Sequence, residues 1–248
     1  LAAVPSQSAD GFPAEGDGSL FKKRPRREDF VRSFGFEGGL QSVCDGVAEQ
    51  VEVRTGAAVT KITEADGVFT VQLDEEQVTS TQVALASPVH VAAKLLADVV
   101  PNVVTHLERI ATVSVETAGV RLPMGRCSLP DCAFVVPVDD LFFSMVTRDP
   151  FPHPELRSFA FHFRPGVSEE AKLNRMAEVL GVAVSELGEP VWQRLMLPAP
   201  AVGHSEVVAD VDAALAGLSV AVTGNYFGGL AIEDCVQRSF SEWDRLQG

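Results

Sequence analysis

The chain has 248 residues, of which 46% are apolar and 22% charged, a globular balance long enough for one large domain or two of ordinary size. Its formal net charge of −14, from 20 Lys and Arg against 34 Asp and Glu, argues against a nucleic-acid binder and against general docking on anionic lipid, since phosphate attraction would have to come from one local patch. No apolar run approaches the roughly 18–20 residues of a transmembrane helix, and four scattered cysteines (Cys44, Cys127, Cys132, Cys235) make no disulfide framework, so a reducing, cytoplasmic setting is expected.

Residues 1–29 open with a stretch rich in Ala, Pro, Ser, Gly and Asp that has no hydrophobic period, and read as linker or poorly ordered loop. Within it, Lys22-Lys23-Arg24-Pro25-Arg26-Arg27 is a basic run, open to reading as a nuclear signal, an anion-binding patch or a solvated loop facing the acidic body. Leu40, Val43, Cys44 and Val47 fall at helical spacing, so 40–50 is predicted as a short amphipathic helix. Residues 51–54 and 57–62 are predicted as strands split by Thr55-Gly56. Ala65-Asp66-Gly67 is a hairpin turn followed by alternation over 68–73. A buried strand over 82–86 ends at Ser87-Pro88, and a helix over 89–99 is expected to stop at Pro101.

Strands are predicted at 111–122 and 132–138. Phe159, Phe161 and Phe163 alternate, as in a strand with one buried face. Helices follow at 169–180, with Ser168 as cap, and at 182–187 and 209–215. An apolar strand at 218–223 runs into the loop Gly224-Asn225-Tyr226-Phe227-Gly228-Gly229, and a last helix covers 232–246. The fold class is therefore α/β or α+β, a mixed sheet with helices.

Phosphate-loop, zinc-protease and nucleophile-elbow signatures are absent. Cys127 and Cys132 have no second pair at zinc spacing, and His90, His106, His153, His162 and His204 do not cluster, so no metal is expected. His204 is a candidate polar residue or a structural one, and Tyr226 and Trp243 read as packing residues. The strand, glycine loop and helix from 218 onward carry the most information. Glycines let backbone N–H groups approach a ligand, and the helix start offers unpaired donors to an anion. Glu233 and Asp234 already place negative charge in that first turn. An ordinary strand-to-helix turn remains the alternative.

Gly224-Asn225-Tyr226-Phe227-Gly228-Gly229-Leu230-Ala231-Ile232-Glu233-Asp234-Cys235-Val236 resembles the C-terminal flavin loop of protoporphyrinogen oxidases, roughly Gly-Asn-x-Tyr-x-Gly-Val-x-Val-x-Asp-Cys-Ile. Pro198 to His204 resembles the family's Pro-x-Tyr-x-x-Gly-His stretch without its Tyr. Phe36-Glu37-Gly38-Gly39-Leu40, Ala58-Val59-Thr60-Lys61-Ile62 and Ala86-Ser87-Pro88 with the helix after it are similar to further blocks of that family. The blocks cover about 30–110 and 190–245, while 120–190 matches only loosely.

The resemblance implies an FAD-dependent oxidoreductase of the protoporphyrinogen-oxidase and amine-oxidase superfamily acting on a small-molecule substrate. It implies that Val59 contacts the adenine end of the cofactor, and that Gly224 and Asn225 lie near the pyrophosphate and ribitol. Leu230, Ala231 and Ile232 would place backbone N–H groups on the flavin ring, and Gly229 would sit where backbone and ring come close. Gly38 and Gly39 would shape a substrate-proximal loop. No catalytic acid or base is implied.

The superfamily opens with a strand and a Gly-x-Gly-x-x-Gly turn. Here only Gly16-Asp17-Gly18 comes near, after no strand, and the first residue is Leu. The expectation is a C-terminal portion lacking the N-terminal βαβ, inactive by itself, with that N-terminal portion as a partner. Its divisions would be a second portion of the FAD-binding domain over 30–110, a substrate-domain-like portion over 111–195, and the flavin-binding strand, loop and helix over 196–248. The Gly-Asn start and Asp234-Cys235 favour the porphyrinogen-oxidase branch over amine oxidases. A desaturase-like FAD oxidoreductase and a non-catalytic, partner-binding remnant stay open.

Overall fold

A computed structural model describes residues 2–4, 36, 39–74, 76–149 and 152–248, so the basic run at 22–27 and Gly38 lie outside the described residues. In chain order the elements are β1 (Ala2–Val4), α1 (Gln41–Ala48), β2 (Lys61–Ala65), β3 (Val68–Gln72), β4 (Gln77–Ser80), β5 (Val83–Leu85), α2 (Val89–Leu96) and α3 (Pro101–Leu107). Then come β6 (Thr112–Pro123), β7 (Phe134–Val136), β8 (Phe142–Thr147), β9 (Leu156–Phe163), α4 (Glu169–Leu180), β10 (Val191–Pro198), α5 (His204–Leu215), β11 (Val220–Val222) and α6 (Ile232–Gln247). They form two compact units, Leu1–Val53 with Val115–Arg194, and Arg54–Ser114 with Leu195–Gly248.

The first unit holds a six-stranded sheet in the order β1-β7-β8-β9-β6-β10. β1 falls inside the stretch read as linker. Its three small or β-branched residues carry no turn former, and they pair antiparallel with β7. β9 alternates without a break: Arg157, Phe159, Phe161 and Phe163 are buried on one face. Phe142 meets Phe161 edge-on with ring centroids 5.3 Å apart, and Phe161 stacks on Phe163 at 5.8 Å. α4 buries Met176, Ala177 and Leu180 in the same core. Lys172, on the same helix, is also buried and pairs with Glu116 of β6. The Lys172 ammonium and the Arg194 guanidinium hold the Glu116 carboxyl below its ordinary value.

α4 starts where the sequence places it. The Ser168 hydroxyl accepts from the Ala171 N–H at 3.2 Å, and Glu169 and Glu170 lie in the first turn. Ser168→Ala should destabilise the protein by about 1 kcal/mol in urea unfolding, and Ser168→Asp should restore the loss. An unchanged midpoint for Ser168→Ala would show that water replaces the cap.

The second unit contains a three-stranded antiparallel sheet, β2-β3-β4, and a parallel pair, β5 and β11. Asp66 (φ 52°) and Gly67 (φ 77°) make the tight β2–β3 turn, placing Ala65 opposite Val68. Ile62 and Phe69 point into a core completed by Leu96 of α2, Val103 and Leu107 of α3, and Val211 and Leu215 of α5.

Several boundaries differ from the sequence reading. Residues 51–54 and 57–60 are not strands; Val51, Val53 and Val59 are exposed, so their β propensity has no partner face to reward it. Pro101 does not end a helix: α2 stops at Leu96, and Pro101 opens α3 at its first position, where a missing N–H costs nothing. The helix predicted over 182–187 is only a 3₁₀ turn, Val184–Glu186. α5 begins at His204 rather than 209, after Gly203 at φ 89°.

Candidate functional site

β5 and β11 run in the same direction, with Val83, Ala84 and Leu85 opposite Val220, Ala221 and Val222. Their carboxyl ends release Ala86-Ser87-Pro88 and Thr223-Gly224-Asn225 side by side. The crevice beyond the carboxyl ends of parallel strands is where open α/β sheets receive ligands. A cavity of about 440 Å³ lies there, lined by both segments, by Leu195–Pro198 and by Cys235 and Ser239 of α6. Val89, the first residue of α2, also lines it, and the first turn of that helix carries no acidic side chain.

Two features of this crevice invite a polar ligand. The Ser87 hydroxyl oxygen is buried without a hydrogen-bond partner, an arrangement that costs free energy unless something bonds to it. Gly224 holds φ 149°, and a Cβ there would stand 2.6 Å from Cε1 of Tyr226. The backbone can therefore bend close to the crevice only as glycine. Ser87 was not singled out from sequence. The available signal was a hydroxyl at the end of a buried strand, immediately before a Pro and a helix.

On the side away from β5, β11 is bordered among the described residues by side chains of α6 rather than by another strand. The Arg245 guanidinium donates to Val220 O at 2.5 Å, Glu242 accepts from the Val222 N–H at 3.2 Å, and Arg238 donates to Val222 O at 3.1 Å. Arg238 also lies 3.8 Å over the Phe227 ring and binds Asp212 at 2.6 Å. These contacts fix α6 against the strand and hold the glycine loop between them. Tyr226 packs inside this loop, its phenol pushed up by burial, and His204 Nε2 reaches the Phe227 carbonyl at 3.3 Å. Both act as packing and tethering groups here.

The start of α6 already has an internal anion. Asp234 accepts from the Ala231 N–H at 3.3 Å, so this donor is engaged within the chain. A Cβ on Gly229 would collide with that carboxylate, its Cγ lying 2.9 Å away. Helix capping is therefore a sufficient reason for glycine at 229. Leu230 and Ile232 are exposed and, with Asn225, Val236, Phe240 and Trp243, line a largely apolar groove of about 630 Å³. Asn225 borders both the crevice and this groove. Val59 is 38% exposed in the segment before β2 and lines neither cavity. Gly39 (φ 86°) sits in the first unit, its N–H bonded to Phe36 O at 2.9 Å. Among the described residues no group of three or more His, Cys, Asp and Glu side chains could hold a metal ion, and no helix is long and apolar enough to cross a membrane.

Residues 6–123 match the family model of flavin-containing amine oxidoreductases. The chain is 24% identical over 226 residues to coproporphyrinogen III oxidase of Bacillus subtilis (strain 168), covering 81% of this chain and 48% of that protein. Both findings support membership of the flavin-containing amine oxidase and protoporphyrinogen oxidase superfamily. Members of this superfamily also share its fold. A protein of Exiguobacterium sp. 255-15 assigned as a protoporphyrinogen oxidase superposes with a TM-score of 0.68 at 22% identity, over 85% of this chain and 51% of that one. Putrescine oxidase bound to putrescine does so at 0.60 and 16% identity, over 85% and 53%. The chain thus spans about half the length of the superfamily members it matches.

Proposed function

We propose that the chain forms part of an FAD-dependent oxidoreductase of the porphyrinogen-oxidase branch, acting on a small-molecule substrate. The observation that carries this reading is the crevice at the carboxyl ends of β5 and β11, with its unpartnered Ser87 hydroxyl and the close backbone at Gly224. Ser87 would hydrogen-bond a polar part of the cofactor, and Asn225 would hold its side-chain amide between crevice and groove. Bound flavin supplies the redox chemistry, while the protein orients and desolvates. The 24% identity to a coproporphyrinogen III oxidase supports this branch.

The dinucleotide fingerprint that cradles a pyrophosphate is not in this sequence. We therefore assign the exposed apolar face of α6 and the free edge of β5 to a partner segment that brings it. Among the described residues β5 pairs only with β11, which leaves Ala84 exposed at its other edge. The test is FAD titration of the purified chain, followed by flavin fluorescence. Weak, dialysable binding is expected, with Ser87→Ala lowering the affinity roughly threefold to tenfold, the loss typical of one hydrogen bond. Unchanged affinity in Ser87→Ala would remove the crevice from the proposal. No flavin response at all would remove the flavin.

A further inference from the structure

A third cavity, of about 370 Å³, lies wholly within the sheet unit. It opens where three neighbouring strands end together. Arg121 of β6 stands opposite Ser158 of β9, and the Arg148 N–H, just past β8, bonds to Ser158 O at 3.2 Å. Directly opposed residues in antiparallel strands share a face. Arg121, Ser158 and Arg148 thus form one transverse row, with the two arginine backbones about 10 Å apart at ordinary strand spacing. All three line the cavity.

These two arginines differ from the rest. Every other arginine among the described residues meets a carboxylate or, for Arg164, a carbonyl and the Phe143 ring. Arg121 and Arg148 are exposed and have no side-chain partner among the described residues, in a protein with a net charge of −14. Of the cavity's two carboxylates, Asp149 is held in a buried pair and Asp131 is exposed. Asp149 binds Arg157 through both oxygens at 3.1 and 2.6 Å, and Asp131 stands 3.6 Å from the same guanidinium. His153, on the rim, accepts from the Glu155 N–H at 3.2 Å through Nδ1. Two arginines with no carboxylate partner among the described residues therefore line one cavity, and guanidinium is the group best matched to a planar or tetrahedral oxyanion.

We infer that this cavity binds the oxyanion of a small molecule, gripped by Arg121 and Arg148 on either side of Ser158. The site shares no residue with the flavin crevice and does not depend on it. Its test is calorimetric titration of the full chain with succinate and, separately, with inorganic phosphate, against sodium chloride at matched ionic strength. At least one of them should bind saturably, and Arg121→Gln with Arg148→Gln should weaken that binding roughly a hundredfold, two charge-assisted contacts being lost. Arg126→Gln, which removes an exposed arginine paired with Glu186 at 3.7 Å, should leave it unchanged. Saturation by succinate alone assigns a carboxylate ligand, and by phosphate alone a phosphate ligand. Binding no stronger than chloride, or equal binding by a double variant with a native unfolding curve, overturns the site.

Discussion

Arg157→Ala should destabilise the protein by roughly 3–5 kcal/mol, the cost of stripping one partner from a buried ion pair. The Arg157 side chain is 5% exposed and the Asp149 side chain 7%. The guanidinium also donates to the carbonyls of Leu129 and Pro130 and lies 5.1 Å from the Phe159 ring centroid. Alanine leaves the two carbonyls without this donor and the carboxylate with the Cys132 N–H but no cation. Urea unfolding measures the loss, and a change below about 1 kcal/mol would mean that water refills the pocket. Arg157→Met combined with Asp149→Leu should recover most of the stability, because an apolar pair carries no desolvation cost.

The same pair sets an acid dependence. Burial alone would raise the Asp149 carboxyl, but hydrogen bonds from Arg157 and from the Cys132 N–H outweigh it and leave the group below its ordinary value. Asp140 follows the same pattern with Arg175. A carboxyl depressed in the folded state stabilises fully above its unfolded value, about 4, and the benefit fades as pH falls through the lower folded value. Wild-type stability should therefore decline below about pH 4. In Arg157→Ala the Asp149 carboxyl is raised instead, so acidification should relieve part of the defect and bring the two curves together.

Gly224→Val should disturb both folding and flavin binding. Its Cβ would sit 2.6 Å from Cε1 and 3.1 Å from Cδ1 of Tyr226, a ring 1% exposed inside the core and 4.7 Å from Phe227. Overpacking of this kind costs roughly 1–3 kcal/mol, and holding a β-branched residue at positive φ adds a further cost of roughly 1–3 kcal/mol. Differential scanning fluorimetry should show the lower midpoint, and FAD titration of the still-folded fraction should show weaker binding. Native stability and native flavin affinity together would place the crevice elsewhere. Gly229→Leu makes the contrasting case. It strikes the Asp234 carboxylate that caps α6, so its first effect should be on helix stability.

Periodicity made much of this fold legible. The Ser168 cap, the Asp66-Gly67 turn and the alternating Phe159, Phe161 and Phe163 each combine a local rule with a tertiary partner that rewards it. Val51 and Val53 obey the same local rule, yet they have no face to pack on and stay exposed. Pro101 reads as a stop from one side and a start from the other, and only packing decides between them. At the site, Gly224 and Asn225 were legible because a glycine loop between a strand and a helix is a local pattern. Ser87 was not, since its burial depends on strands some 135 residues apart in sequence lying side by side. Arg238, Glu242 and Arg245 carry no sequence motif. Nothing local reveals that they bond to the backbone of β11.

Among the described residues, those three side chains leave the parallel strand pair with one closed border and one open border. The closed side cannot accept another strand without first displacing two arginines and a glutamate. Head-to-tail stacking of copies, β5 of one against β11 of the next, is therefore blocked, and open-ended filaments require such a repeat. What remains is the edge of β5, the one border at which the partner segment proposed above can add a strand. By closing β11 the helix makes the pair a template with a single growing side.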